Sequence, residues 1–166
     1  MFLYLVRHGI ALDREDPHAP SDDTQRPLTP EGIKKTYAVA KGFRALDGRP
    51  SAFLTSPWLR ARQTAEIFCE VFGAEPERIR ALDALKGTSN PADLYHELDK
   101  IKAKEVMCFG HEPHLHLTIA LALHAASGLM VLKKAGIACL ELDRVSPPHG
   151  QLVFLYPPKI LRTLGR

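Results

Sequence analysis

Cysteine is scarce in this sequence, and long runs of basic residues are absent. Three cysteines occur without C-x-x-C spacing, and the segment Met1–Arg7 has neither the basic region nor the cleavage site of a signal peptide. We therefore expect free, buried thiols and a cytoplasmic location. No basic run exceeds two residues, and aromatic residues do not alternate with basic ones, so we expect no nucleic-acid partner. The cysteines are Cys69, Cys108 and Cys139.

A hydrophobic run long enough to cross a membrane is also missing. The longest apolar stretch, Leu115–Ala126, contains the polar residues Thr118 and His124. It falls short of the roughly 20 apolar residues that a spanning helix needs, so we expect no membrane partner. The formal net charge of +3 is mild, and although it suits an anionic substrate it selects none by itself.

The composition is close to the average for globular proteins. The chain has 166 residues, of which 45% are hydrophobic and 25% are charged. A chain of this length buries about two thirds of its unfolded surface, which is enough for a core without a disulfide or a structural metal. We expect a single domain over residues 1–166.

Strand-like and helix-like segments alternate along the chain. The apolar run Phe2–Val6 predicts a strand that is covered on both faces, and Ser51–Thr55 and Glu105–Phe109 are also predicted strands. Thr29-Pro30 and Ser56-Pro57 each predict a helix start, because a hydroxyl residue caps the helix and proline fits its first turn. The remaining predicted elements are a strand at 79–82, helices that start at Asn90-Pro91 and Pro113 (the latter to about Ala126), and strands at Ile137–Leu142 and Leu152–Tyr156.

The order of these elements predicts the fold class. Repeated strand–helix units predict an α/β domain in which a mainly parallel sheet lies between helix layers. The last two strands are joined by a short turn, which predicts an antiparallel pair at the edge of the sheet. Residues 8–27 are polar and form the longest predicted loop, and long loops are often functional.

Chemically active side chains follow three of the predicted strands. Arg7 and His8 follow the first, Arg60 and Arg62 lie in the helix after the second, and His111 follows the strand that ends at residue 109. Because ligands bind beyond the carboxyl ends of strands in open α/β sheets, we expect these side chains to meet. Two guanidinium groups match the oxygens of a phosphoryl group, and a histidine with one unprotonated ring nitrogen can act as nucleophile. The pattern therefore predicts a phosphate site.

A metal site is the alternative for the histidine-rich segment that begins at His111. The segment is not an H-E-x-x-H motif, because position 115 is leucine. Pro113 places His111 before the helix that carries His114, and no other cluster completes a ligand set. We expect no metal.

Three sequence blocks together resemble the histidine phosphatase superfamily, and they occur in its order. The blocks are Arg7-His8-Gly9, Ser56-Pro57-x-x-Arg60-Ala61-x-Gln63-Thr64-Ala65 and Gly110-His111-x-Pro113. The short chain and the stretch Asp23-x-x-Arg26-Pro27-Leu28-Thr29-x-x-Gly32 resemble the SixA-type phosphohistidine phosphatase branch. The resemblance spans residues 1 to about 120, and it implies a phosphoglycerate mutase-like, three-layer α/β/α fold.

The resemblance also implies a role for each matching residue. His8 matches the nucleophile that becomes phosphorylated, and Arg7 and Arg60 match the two arginines that clamp the phosphate, which favours Arg60 over Arg62. His111 matches the histidine that stabilises the transferring group. The family implies neither a metal nor an organic cofactor.

The proton donor for the leaving group is the least determined role. Asp83, just after a predicted strand, and Glu112, next to His111, are the candidates, and Asp13 and Glu15 in the first loop are weaker ones. A phosphohistidine substrate reduces the need for a donor, because imidazole has a conjugate-acid pKa near 6.5 and leaves far more readily than an alkoxide.

The implied function is that of a protein phosphohistidine phosphatase, and three alternatives remain. They are a phosphatase for small phosphate esters, a phosphomutase, and a binding module for phosphorylated ligands that performs no catalysis. Little chain remains for a lid over the pocket, which favours a bulky phosphorylated group on a protein over a small metabolite. Asp23 and Arg26 either line the pocket entrance or only hold the loop.

Overall fold

A central sheet of six strands organises the molecule. The computed structural model describes residues 1–46, 48–126, 128 and 130–165. The strands are β1 (Phe2–Arg7), β2 (Ala52–Thr55), β3 (Ile79–Ala81), β4 (Glu105–Gly110), β5 (Ile137–Arg144) and β6 (His149–Tyr156). The α-helices are α1 (Pro30–Arg44), α2 (Leu59–Phe72), α3 (Pro91–Asp99), α4 (His114–Ala122) and α5 (Pro158–Leu164), and short 3-10 turns lie at Asp23–Gln25, Pro76–Arg78 and Asp83–Leu85.

The sheet is mixed, and four of its six strands are parallel. The strand order is β3-β2-β4-β1-β5-β6, and β1, β2, β3 and β4 run parallel. Strand β5 is antiparallel to both of its neighbours, β1 and β6. The predicted α/β class, the mainly parallel sheet and the antiparallel pair at its edge are confirmed.

The sheet separates two apolar cores, which gives the predicted three layers. Alternate side chains of β1 point to opposite faces, so Tyr4 and Val6 join one core while Leu3 and Leu5 join the other. Helices α1, α2 and α5 cover the first face, and α3 and α4 cover the second. All three cysteines are buried free thiols, as expected.

Helix ends show where local signals succeeded. The Thr29 hydroxyl accepts a hydrogen bond from the Gly32 amide at 2.9 Å, so it caps α1 as predicted. Asn90 caps α3 in the same way through the Ala92 amide at 3.0 Å.

Two helix boundaries and one whole helix differ from the prediction. Helix α2 begins at Leu59 and not at Ser56-Pro57, because the backbone of Trp58 is extended, with ψ of 132°. The Ser56 hydroxyl accepts from the Trp58 amide at 3.3 Å and lies 2.9 Å from His111 Nε2. Helix α4 ends at Ala122 rather than near residue 126, and His124 adopts a left-handed backbone conformation with φ of 52° that a helix cannot continue through. Helix α5 was not predicted at all.

The parallel pairing brings the ends of three strands to one edge of the sheet. Arg7 is in register with Gly110, and Thr55 is in register with Phe109. The residues that follow β1, β2 and β4 therefore leave the sheet side by side. No helix within the described part of the chain is long and apolar enough to cross a membrane.

Candidate active site

His8 lies at the end of β1, and backbone contacts hold it in place. Its amide donates to the Gly110 carbonyl at 3.0 Å, and the next amide, that of Gly9, donates to the Thr64 hydroxyl at 3.0 Å. A side chain at position 9 has no room, because a Cβ there would lie 2.4 Å from the Thr36 hydroxyl. The backbone after β1 therefore packs against Thr36 only because position 9 is glycine.

The tautomer of His8 follows from its hydrogen bond. Its Nδ1 lies 2.7 Å from the Gly9 carbonyl oxygen. A carbonyl oxygen only accepts, so Nδ1 carries the proton of the neutral ring and Nε2 keeps a lone pair. Nε2 is therefore the atom of His8 that is able to attack an electrophile.

Burial keeps His8 neutral. The side chain is only 7% exposed, and burial, with further contributions from the charges of Arg60, Arg7 and Lys134, lowers the pKa of His8 to about 3. The hydrogen bond to Gly9 opposes this shift without reversing it. At neutral pH the ring is therefore uncharged and not an imidazolium, the state that a nucleophilic histidine requires.

His111 follows β4 and lies beside His8, with the two ring centroids 5.1 Å apart. Its Nε2 is 2.9 Å from the Ser56 hydroxyl, and its side chain is 2% exposed. Burial, followed by the effects of His8 and Arg60, lowers the pKa of His111 to about 2. His111 is therefore also neutral, and it acts as a hydrogen-bonding group rather than as a charge.

Two arginines reach the same place from different elements. Arg60, in α2, is 3% exposed and donates to the Asp23 carbonyl at 2.7 Å and to the Asp23 carboxylate at 3.1 Å. Arg7 donates to the Leu132 carbonyl at 2.9 Å. Burial lowers the pKa of both guanidinium groups, and the negative charges of Asp23 and Glu112 oppose this for Arg60 and Arg7 respectively. Both remain cations.

Each of the three groups around His8 has a buried nitrogen without a hydrogen-bond partner in the described part of the chain. These atoms are Arg7 Nε, Arg60 Nε and His111 Nδ1. Buried polar atoms are normally paired, because leaving them unpaired costs about 1–3 kcal/mol each. An anion with several oxygen acceptors would pair all three.

The long loop before α1 contributes Asp23 to the site. One carboxylate oxygen of Asp23 accepts from Arg14 at 2.7 Å and from Arg26 at 2.6 Å, while the other accepts from Arg60. Although burial opposes it, hydrogen bonds from Arg14 and Arg26 and the charge of Arg60 hold the pKa of Asp23 well below its usual range. Asp23 thus contacts the site by its hydrogen bonds with Arg60, and Arg26 stabilises the loop by its ion pair with Asp23.

Trp58 is a site residue that the sequence analysis missed. Its ring lies 4.5 Å from the ring of His111 by centroids, and the Arg60 guanidinium carbon lies 4.8 Å from the Trp58 centroid. The second contact is a cation–π interaction, which holds the guanidinium in place. The sequence signal for Trp58 was its position two residues before Arg60.

Arg62, the alternative to Arg60, lies on the surface and pairs with Glu66 at 3.1 Å.

The candidate proton donors occupy different surroundings. The Asp83 carboxylate is 81% exposed and pairs with Lys86 at 2.9 Å. Asp13 and Glu15 are exposed in the first loop. The Glu112 side chain is only 16% exposed and bonds to His116 at 2.6 Å. Its negative charge is close enough to Arg7 to raise the pKa of that guanidinium. Glu112 is therefore the candidate that the structure brings to the arginines.

The histidines after β4 do not converge. His111 faces Ser56, His116 bonds to Glu112, and His114 is 1% exposed in the core side of α4. Within residues 1–46, 48–126, 128 and 130–165, no group of three or more histidine, cysteine or acidic side chains is arranged to hold a metal ion.

Comparison with known proteins agrees with this geometry. Residues 3–88 match the model of the histidine phosphatase superfamily, branch 1. An uncharacterized protein of Picosynechococcus sp. (strain ATCC 27264 / PCC 7002 / PR-6) is 37% identical over 167 residues, covering 97% of this chain and 99% of that protein. The chain belongs to the histidine phosphatase superfamily.

Solved structures of histidine phosphatases and related enzymes share the fold. The protein histidine phosphatase SixA complexed with tungstate superimposes with a TM-score of 0.84 at 23% identity, covering 97% of this chain and 99% of that one. Phosphoserine phosphatase from Entamoeba histolytica, complexed with 3-phosphoglyceric acid, gives a TM-score of 0.71 at 18% identity, covering 96% and 98%. At these identities the likeness shows the phosphoglycerate mutase-like fold of this histidine phosphatase superfamily member.

Proposed function

We propose that this chain is a phosphatase that forms a covalent phosphohistidine at His8, and that its substrate is phosphohistidine on a protein. The observation that carries the proposal is the placement of a buried, neutral His8, whose Nε2 keeps a lone pair, near the buried guanidinium group of Arg60 and the half-buried one of Arg7. The proposed reaction needs no metal and no organic cofactor.

In the first step, His8 Nε2 attacks phosphorus in line with the leaving group. The new N–P bond forms as the bond to the leaving group breaks, through a loose transition state whose charge lies on the equatorial oxygens. Arg7, Arg60 and His111 are the donors for those oxygens, and their unpaired buried nitrogens are then paired. Donors placed in advance lower the barrier because they need not reorganise during the reaction.

In the second step, water attacks the phosphohistidine, and His8 leaves as a neutral ring. The Nδ1–H bond to the Gly9 carbonyl, at 2.7 Å, keeps the ring in one orientation through both steps. Division into two steps is the general advantage of covalent catalysis.

A phosphohistidine substrate is favoured by the leaving group that it provides. Imidazole leaves readily because its conjugate acid has a pKa near 6.5, so its departure needs a proton donor less than that of an alkoxide does. Of the two candidate donors, Asp83 is exposed and pairs with Lys86, and Glu112 bonds to His116. The overlap with SixA, described as a protein histidine phosphatase, supports the same class. The overlap with a phosphoserine phosphatase keeps small phosphate esters as the second candidate.

Two measurements test the proposal. The purified chain is expected to hydrolyse p-nitrophenyl phosphate in the presence of EDTA, with inhibition by vanadate, and to hydrolyse a phosphohistidine protein faster than small phosphoesters. Radiolabel trapped on the wild type is expected to be acid-labile and base-stable, and absent from His8→Ala. Equal labelling of both proteins would contradict His8 as nucleophile, and no turnover of any phosphoryl donor would favour a non-catalytic binding module.

A further inference from the structure

A cleft of about 420 Å³ is lined in part by Arg7, which also belongs to the proposed phosphoryl site. Its apolar wall is formed by Pro113, Met130 and Val131. The side chain of Val131 is 73% exposed, although it is hydrophobic. A group attached to a phosphoryl group that Arg7 binds thus has an apolar surface within reach.

The polar wall of this cleft is Glu112, and only one of its carboxylate oxygens is paired. Oε2 accepts from His116 Nδ1 at 2.6 Å and from the His116 amide at 3.3 Å. Oε1 is buried, and no donor for it exists among the residues that the structure describes. A buried carboxylate oxygen without a donor is costly, and a ligand N–H is the group that would pair it.

We infer that this cleft binds the imidazole of the phosphorylated histidine, and that Glu112 Oε1 accepts the N–H of the ring nitrogen that carries no phosphorus. The inference rests on the proposed function and deepens it. A flat ring suits the apolar wall, and its N–H suits the carboxylate. A phosphorylated serine offers neither a ring nor an N–H at this place, so the cleft selects between the two substrate classes.

The contact has a direct chemical consequence. When the N–P bond to His8 forms, the P–N bond of the substrate breaks and its electron pair stays on the departing nitrogen. The other ring nitrogen carries an N–H only when the phosphorylated ring is protonated and therefore cationic, and the departing group is then neutral imidazole. An unprotonated ring has no N–H for Glu112 and departs as an imidazolate anion. A carboxylate acceptor favours the protonated form, so Glu112 favours the better leaving group.

The test compares two phosphoryl donors on one pair of proteins. Free phosphohistidine and p-nitrophenyl phosphate are hydrolysed by wild type and by Glu112→Gln, which keeps the size of the side chain. Because a hydrogen bond to a charged group is replaced by one to a neutral group, the ratio of kcat/KM for phosphohistidine to that for p-nitrophenyl phosphate is expected to fall about 5- to 10-fold. Glu66→Gln, an exposed glutamate paired with Arg62, is the matched control and leaves the ratio at its wild-type value.

A second variant tests the apolar wall without touching the carboxylate. Val131→Trp adds bulk at an exposed position, so the fold is retained, and it is expected to lower the same ratio. An unchanged ratio in Glu112→Gln, whether both donors lose turnover equally or neither does, overturns the inference and leaves the proposed function standing. Wild-type protein that hydrolyses neither donor, or only the ester, contradicts the proposed function and the inference with it.

Discussion

The two arginines of the site are held in contrasting ways. Arg60 lies in a charged network, because its partner Asp23 also binds Arg14 and Arg26. Arg7 makes its hydrogen bond to a neutral backbone carbonyl, that of Leu132, and its acidic neighbour Glu112 acts on it only through charge. Arg60 is thus enclosed by ion pairs with residues of the loop before α1, whereas Arg7 lines the cleft beside Glu112.

The charge of Arg60 is therefore balanced by Asp23 in the loop before α1, whereas the charge of Arg7, which bonds to a backbone carbonyl, is available to a ligand. An incoming phosphoryl group competes with the Asp23 carboxylate at Arg60, whereas at Arg7 it meets a cation whose direct partner carries no charge. If both arginines bind the transferring group, they contribute equally to the reaction although their surroundings differ.

The largest expected effect comes from removing either arginine. Arg7→Ala and Arg60→Ala are each expected to lower kcat by about 10²–10³, equivalent to about 2.7–4 kcal/mol, because each loses a donor to the transferring group. Steady-state hydrolysis of p-nitrophenyl phosphate measures this. Arg62→Ala, an exposed arginine in the same helix, serves as the control and is expected to behave as wild type. A loss confined to one of the two arginines would break the proposed equivalence.

A second prediction concerns the pH dependence of stability, which separates the histidines from Asp23. The pKa of His111 is about 2 in the folded chain and about 6.5 when unfolded, so the unfolded state binds more protons between these values. Stability therefore falls as the pH falls below about 6.5, by about 1.4 kcal/mol per pH unit for this group. Urea unfolding is expected to show that His111→Asn reduces this slope between about pH 6 and pH 4.5.

Asp23 supplies the comparison within the same experiment. Its folded pKa lies below the ordinary value, so its contribution is present above about pH 4 and is lost as the pH falls further. Asp23→Asn is expected to flatten the curve only below about pH 4. A slope that Asp23→Asn reduces near pH 6, or that His111→Asn leaves unchanged there, would contradict the assignment of these two pH ranges.

The smallest expected effect belongs to Trp58, which supports the Arg60 side through ring contacts. A cation–π contact contributes about 0.5–1 kcal/mol, so Trp58→Ala is expected to lower kcat/KM about 2- to 5-fold, and Trp58→Phe is expected to recover most of the loss. Trp58 is the only tryptophan in the sequence and contacts Arg60 and His111, so its fluorescence is expected to change when inorganic phosphate binds to the wild type. Equal losses in both variants would mean that the ring contact is not the cause.

The sequence predicted those parts of the fold and site that depend on neighbouring residues. The caps Thr29 and Asn90 lie next to the helices they start, and His8 and His111 stand directly after strands that their apolar runs identified. The predicted end of α4 was wrong because nothing in the apolar sequence around His124 indicates its left-handed backbone conformation. Helix α5 was missed because Pro158 follows a strand closely and the helix is short.

The sequence by itself therefore determined the residue types and their order, namely a histidine after β1, an arginine in α2 and a histidine after β4. The tertiary structure alone decided how they are used, because the contacts join distant parts of the chain. Arg60 meets Asp23 across 37 positions, and Arg7 meets Leu132 across 125. The neutral state of His8 likewise comes from burial beneath several elements, and local sequence cannot specify the solvent that a folded chain excludes.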